Sequence, residues 1–293
     1  MGTSDGRVIG SAKILDNGPD SRRWTVVVLP DGYREAELPQ FAADAQQLVN
    51  TLSVTPPFST GRAMSAINVH RIDVASTDSG ADDPVACHGT GAVAATYFDA
   101  HFCEAGIRRL LVVDDGTAIM VAGDLVPEFD MIFVLVNSTV YGGSGGAVAV
   151  FSKAPGAMRI AIHEMGHTAF GLADEYPYWR GCGTGEAGRD TYTGAEPVEP
   201  NVTAVSDRAA IKWRSLIAAA TPVPTTQNAD CGDCDPQPSP VAAGTVGAFE
   251  GARNFHCGLF RPSFNCCMRD IDAPFCAVCA RHITTKLAPF LPQ

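Results

Sequence analysis

Residues 163–174 read His-Glu-Met-Gly-His-Thr-Ala-Phe-Gly-Leu-Ala-Asp, and this spacing restricts local geometry more tightly than anything else in the chain. On an α-helix, residues four apart share a face, so His163 and His167 offer both imidazoles to one point. Glu164 projects beside that point without joining it. Two histidines and an adjacent carboxylate at this spacing suit a zinc ligand pair and a general base for zinc-bound water. Met158, Ala161, Ile162, Met165, Ala169 and Leu172 recur as one apolar face, which predicts a helix over 158–172. Gly171 supplies a residue able to end that helix in a left-handed conformation. The chain can then swing back and bring Asp174 to the same ion as third ligand. Asp174 and Glu175 follow a helix C-terminus, where negative charge is unfavourable, and a bound cation is the simplest explanation of two carboxylates there. The competing reading is two buried histidines satisfied by hydrogen bonds in a core. Glu175 is expected to bond nearby backbone rather than metal, and Tyr176 serves equally as packing residue or transition-state donor.

The chain around this segment is long enough for one large domain or two lobes with a shared core. It has 293 residues, 46% hydrophobic and 18% charged, the balance of a packed globule. Its net charge of -11 and the lack of a basic stripe argue against nucleic acid. The longest apolar runs, such as 131–136, are far shorter than the ~20 residues of a membrane span.

Before the motif, hydrophobic patterning predicts an α/β layer. Trp24 to Leu29 reads as a buried strand ending at a Pro-Asp-Gly turn. Leu38, Phe41, Ala45, Leu48 and Leu52 form one helical face, with Pro39 in the first turn and Pro56-Pro57 closing the unit. Ile67 to Ala75, Ile107 to Val113 and Met131 to Val136 read as further strands, giving the order strand, helix, strand, strand, strand. Tyr141-Gly-Gly-Ser-Gly-Gly146 then leads into a strand from Ala147 to Phe151. The glycine run lacks the Gly-Lys-Ser/Thr ending of a phosphate loop, and by itself reads as a turn. After Gly171 the chain becomes rich in Pro, Gly, Thr and Asp. A short helix over 208–219 and a last helix over about 276–287 interrupt it.

Several stretches together resemble the metzincin clan of zinc endopeptidases, and more narrowly the bacterial IgA-peptidase family of metallopeptidases. They are the 163–174 motif, Leu29-Pro-Asp-Gly-Tyr33, Ser76-Thr-Asp-Ser-Gly80, the 141–146 glycine run, Asp174-Glu-Tyr176, Cys267-Met-Arg269 and Phe275-Cys-Ala-Val-Cys279. The resemblance spans roughly residues 24–287. It implies a single α/β (α+β) metallopeptidase domain over 1–293. An N-terminal lobe (about 14–173) would carry a mixed twisted sheet and the active-site helix. A loop-rich C-terminal lobe (about 174–293) would carry a Met-turn and the final helix. It further implies that Met268 is the Met-turn methionine, a hydrophobic floor under one catalytic Zn2+ held by His163, His167 and Asp174. The glycine segment would lead into an edge strand lining the cleft, with Gly145, Gly146 and Ala147 against an extended peptide substrate. Some metzincins place a tyrosine just after the Met-turn. This chain has none after Tyr192, which leaves Tyr141, Tyr176, Tyr178, His256 or the zinc itself to stabilise the oxyanion.

Ten cysteines, with two Cys-x-x-Cys pairs and a Cys266-Cys267 doublet, point to disulfides and a secreted or extracytoplasmic protein. Against this, Met1 to Lys13 is polar and has no apolar core, so it does not read as a signal peptide. The alternative for Cys231/Cys234 and Cys276/Cys279 is a four-thiolate zinc site, although the gap between the pairs exceeds the usual ribbon spacing.

The function expected is a monomeric zinc endopeptidase acting on a peptide or protein, with Glu164 as base. The alternative is an inactive or structural zinc-binding relative acting as a binding module. Retention of Glu164 argues against it, because a structural site needs no base. A zinc hydrolase of non-peptide amides is the third reading.

Overall fold

A computed structural model describes residues 2–178, 190–233 and 238–293. It divides into two compact units, Met1–Ala169 with Leu287–Gln293, and Phe170–Lys286.

The first unit is built on a six-stranded mixed sheet: β1 (Gly6–Leu15), β2 (Trp24–Asp31), β3 (Ile67–Ser76), β4 (Met131–Val136), β5 (Gly143–Ser144) and β6 (Ala149–Ser152), in spatial order β1-β3-β2-β4-β6-β5. The four central strands run parallel, and β1 and β5 close the edges antiparallel. Every residue of β2, β4 and β6 is buried. That is why these strands read as continuous apolar runs rather than alternations: a parallel sheet is covered on both faces. One face (Val27, Leu29, Val74, Val134, Val136, Val150) packs on Ala118, Val121 and Ala122 of α2 (Asp115–Leu125). Residues of the opposite register include Phe133 and Phe151, whose rings meet edge-on with centroids 5.7 Å apart. On that side lie α1 (Leu38–Val54), which turns Phe41, Ala45, Leu48 and Leu52 inward, and α3 (Ala157–Thr168), which packs on it. Phe41, Leu48 and Leu52 each contribute about 1.5–3 kcal/mol when fully buried.

Asp31, Gly32 and Tyr33 form a joint at the end of β2. The buried Asp31 carboxylate accepts from the Phe98 and Ala100 amides at 2.9 and 3.0 Å and from Ser76 Oγ at 3.3 Å. Burial pushes its pKa up, opposed by these bonds. Gly32 has φ +66°, and a Cβ there would lie 1.8 Å from the Gly80 carbonyl oxygen. The Leu29–Tyr33 and Ser76–Gly80 stretches are therefore two halves of one contact.

Four expectations need correction. Ile107 to Val113 is not a strand: the chain turns within it (Leu110 N–H to Ile107 O, 3.0 Å) and makes only isolated bridges at Leu110 and Val112. The strand after the glycine run, β6, is paired on both sides, so the glycine run itself, through β5, is the sheet edge. α3 ends at Thr168, four residues before Leu172, although Gly171 does adopt the left-handed conformation, φ +59°. Residues 208–219 contain only a 3-10 turn, Arg214–Leu216.

The second unit contains a hairpin, β7 (Phe249–Ala252) with β8 (Phe255–Arg261), and the helix α4 (Ala277–Leu287). Long loops are tied to the hairpin at Thr203–Phe260, Thr191–Cys257 and Thr226–Phe249, and by a disulfide between Cys231 and Cys257. A second disulfide, Cys87–Cys103, lies in the first unit. The Cys231–Cys257 bond removes Cys231 from any four-thiolate site, and its proposed partner Cys234 lies outside the described residues. No helix among the described residues is long and apolar enough to cross a membrane.

Candidate metal centre

Helix α3 carries His163, Glu164 and His167, and it starts from Gly156 in a left-handed conformation, φ +85°. Residues 160–166 of the helix are all buried, including His163 and Glu164. The four-residue spacing does what the sequence requires. The two histidine rings meet edge-on with centroids 4.8 Å apart, and their Nε2 atoms lie 3.2 Å from each other. A tetrahedral zinc with Zn–N bonds of about 2.0–2.1 Å separates two ligand nitrogens by about 3.3 Å. The pair therefore fits a shared metal as well as it fits one shared proton.

The glycine run lies directly on this helix. A Cβ on Gly145 would fall 2.7 Å from His167 Cβ and 3.2 Å from Glu164 Oε2, and one on Gly143 would fall 3.2 Å from Glu164 Oε1. The Glu164 carboxylate thus faces the sheet edge, and only a backbone without side chains comes this close to it. The Gly146 amide donates to Thr168 Oγ1 at 3.2 Å, fastening the run to the end of α3. The Gly143 amide donates to Arg109 O at 3.1 Å, so the 109–111 segment already covers that part of the edge. Any strand added by a ligand must pair beyond Gly143. Tyr141 is half exposed at the head of the run.

In the second unit, the segment 174–176 is held by main-chain bonds on both sides. The Asp174 and Tyr176 carbonyls accept from the Arg253 and Asn254 amides, each at 3.1 Å, and the Glu175 amide donates to Met268 O at 2.7 Å. Met268 is fully buried and is tied to the residue beside Asp174. The Tyr176 hydroxyl donates to Asp174 Oδ2 at 2.7 Å, and the Tyr178 ring stacks on that of Tyr176 at 5.0 Å. Tyr176 is therefore a partner of the Asp174 carboxylate. His256 is buried, its Nδ1 2.7 Å from Cys231 O.

Glu175 departs from its expected role. Its amide bonds backbone, but its carboxylate is fully buried, accepting at Oε1 from Asn201 Nδ2 (2.9 Å) and Cys279 Sγ (3.3 Å). Burial, with negative charge on the nearby Cys276 sulfur adding to it, pushes its pKa up to about 8. Asn201 also brackets Ala173 with both main-chain bonds, at 2.8 Å each. Sequence reasoning gave no role to Asn201 or Thr168, and named Gly143 only as part of the glycine run. The first has no signal at all, since a buried asparagine among loop residues looks like any other polar loop position.

The sequence pattern of IgA Peptidase M64 matches residues 12–232 and 238–287, nearly the whole chain. The chain belongs to this family. A search of curated proteins returns no match. Membership in IgA Peptidase M64 makes the protein a peptidase of a metallopeptidase family, with a metal ion implied and a peptide or protein as substrate. The mixed α/β architecture is consistent with that assignment.

Proposed function

We propose that the chain is a zinc-dependent endopeptidase of the metzincin type, its two units acting as one catalytic domain, with zinc held by His163, His167 and Asp174. The observation that carries this reading is the His163–His167 pair, with nitrogens at the separation of two ligands on one tetrahedral ion. Asp174 follows His167 by seven positions, with Gly171 in a left-handed conformation between them, so the tether lets the carboxylate reach the same ion. The alternative of two histidines sharing a proton explains neither the adjacent Glu164 nor the family match. A structural zinc relative would likewise have no use for a buried carboxylate set against the edge of the sheet.

Zinc bound there would supply a Lewis acid and lower the pKa of water toward about 7. The residues of the chain do the rest. Glu164, pressed between α3 and the backbone of Gly143 and Gly145, takes the proton of the attacking water and returns it to the leaving amine nitrogen. Its carboxylate has little room to rotate, so it is already oriented for both transfers. Tyr176 holds Asp174 by its hydroxyl, and Met268 anchors the Asp174–Glu175 backbone. Gly145, Gly146 and Ala147 offer main chain to an extended substrate next to the base. The Cys87–Cys103 and Cys231–Cys257 disulfides fit an oxidising, extracytoplasmic setting.

Hydrolysis of an unfolded protein tests the reading. A strong chelator should abolish it and stoichiometric zinc should restore it, with cleavage inside the chain rather than at its ends. Activity indifferent to chelation would overturn the zinc mechanism.

A further inference from the structure

Four buried side chains of the second unit converge on one point. The sulfurs of Cys266, Cys276 and Cys279 and a carboxylate oxygen of Glu175 all lie within 4.8 Å of one another. Cys266 Sγ and Cys279 Sγ are 3.8 Å apart, and Cys279 Sγ is 3.3 Å from Glu175 Oε1. We propose that Glu175, Cys266, Cys276 and Cys279 form a second, structural metal site for a thiophilic divalent cation such as zinc.

Distances favour a metal over a disulfide. A tetrahedral zinc with Zn–S bonds of about 2.3 Å sets two thiolate sulfurs about 3.8 Å apart, and places a carboxylate oxygen about 3.6 Å from each. A disulfide needs about 2.05 Å. Cys231 and Cys257 stand at that bonding distance in the same unit, whereas Cys266, Cys276 and Cys279 are all unpaired.

A second observation is independent of the sulfurs. Glu175 Oε2 is buried and has no hydrogen-bond partner among the described residues. A buried carboxylate oxygen without a donor is costly, and a cation is what it lacks. The buried Arg261 guanidinium lies close enough to act on the Glu175 charge, offsetting part of the negative charge of a three-thiolate, one-carboxylate site.

The sequence arrangement agrees. Cys276 and Cys279 are spaced Cys-x-x-Cys across the start of α4, where the first helical turn presents both sulfurs to one side and the helix dipole favours thiolates. The Cys276 amide donates to Cys266 Sγ at 3.3 Å, a bond that steadies a ligating thiolate. The adjacent carboxylates of Asp174 and Glu175 would thus serve two ions, one each. The structural ion would lock the chain beside Asp174 to α4.

Cobalt substitution separates this site from the proposed catalytic one, because only thiolates give intense sulfur-to-cobalt charge-transfer absorption. Full-length protein, reduced and reconstituted with cobalt(II), should show that absorption and bind two equivalents. The absorption should survive His167→Ala, with one equivalent lost, and survive Cys267→Ser unchanged. Cys279→Ser should abolish or greatly weaken it. Should Cys279→Ser fail to fold, the wild-type spectrum still decides: no charge-transfer band overturns the proposal. A Cys266–Cys279 or Cys276–Cys279 cross-linked peptide in unreduced digests, together with no band after reduction, overturns it equally. Loss of the zinc mechanism alone would leave the band and one bound equivalent.

Discussion

Replacing Gly145 by valine should damage catalysis far more than it damages the fold. A Cβ at this position would stand 2.7 Å from His167 Cβ and 3.2 Å from Glu164 Oε2. Optimal carbon contacts lie at about 3.5–4.0 Å, so either the glycine run or α3 must retreat by about 1 Å. Overpacking of this kind costs about 1–3 kcal/mol of stability, which a domain of ordinary stability survives. A displacement of about 1 Å at a catalytic group costs roughly 10²-fold in rate. Gly146→Ala is the matched control, because a Cβ there meets nothing closer than Val148 O at 3.9 Å and the amide bond to Thr168 is kept. Cleavage of an unfolded protein substrate, measured alongside urea unfolding, should show kcat/KM down by about two orders of magnitude for Gly145→Val. Gly146→Ala should stay within a few-fold of the parent. Equal turnover in Gly145→Val and the parent would refute the placement of the glycine run against the base.

Two further predictions concern the scaffold. Gly32→Ala should destabilise the fold by at least about 2 kcal/mol in urea unfolding, since φ +66° strains any L side chain and the new Cβ would meet the Gly80 carbonyl; a loss under about 0.5 kcal/mol would contradict the joint described there. Asp20 is desolvated, but bonds from Lys13, His70 and Asn68 outweigh this and hold its pKa near 2 against an ordinary 3.8. A depressed carboxyl pKa stabilises above the unfolded value and loses that contribution as pH falls from about 4 to about 2. With the side chain 25% exposed, screening limits the contribution to roughly 1–2 kcal/mol. Asp20→Asn should lose that much at pH 6 and only a small part of it at pH 2, and a gap independent of pH would count against the assignment.

What the sequence made legible follows from burial. β2 and β4 are covered on both faces and read as unbroken apolar runs, and α1 buries one stripe, so these three were readable with small shifts at their ends. α3 is buried on all sides from 160 to 166 and was readable as a helix, but it ends four residues before the expected position. The sheet edges were not readable. β1 is largely solvent-facing, carries Gly6, Gly10 and Ser11, and is bulged at Val8/Gly10 and Lys13/Leu15, so neither apolar content nor alternation betrays it. α2 starts at a genuine cap, Asp114 accepting from the Thr117 amide at 3.1 Å, but its Asp-Gly-rich start and interior glycine look like a loop. The expected helix at 208–219 gives way because its side chains are engaged elsewhere. Lys212 Nζ binds the Glu199 and Val202 carbonyls at 2.8 and 2.6 Å, and Trp213 Nε1 binds Gly247 O at 2.6 Å. The juxtaposition of His163 and His167 was legible because it depends on helix geometry alone. The Glu175 cluster was not, because it joins Glu175 to cysteines up to 104 positions away in chain order, a contact that no periodicity encodes.

Zinc content and turnover determined together on Glu164→Ala separate a base from a ligand at the proposed zinc site. Glu164 is assigned as base and not as ligand, so the variant should keep the catalytic zinc of the parent while peptide hydrolysis falls by roughly 10²- to 10⁴-fold, the usual contribution of a positioned general base. Asp174→Ala, which removes a proposed ligand, should lose that zinc equivalent as well as activity. A Glu164→Ala variant that still hydrolyses peptide near the parent rate, or that loses its zinc with its activity, would contradict the account.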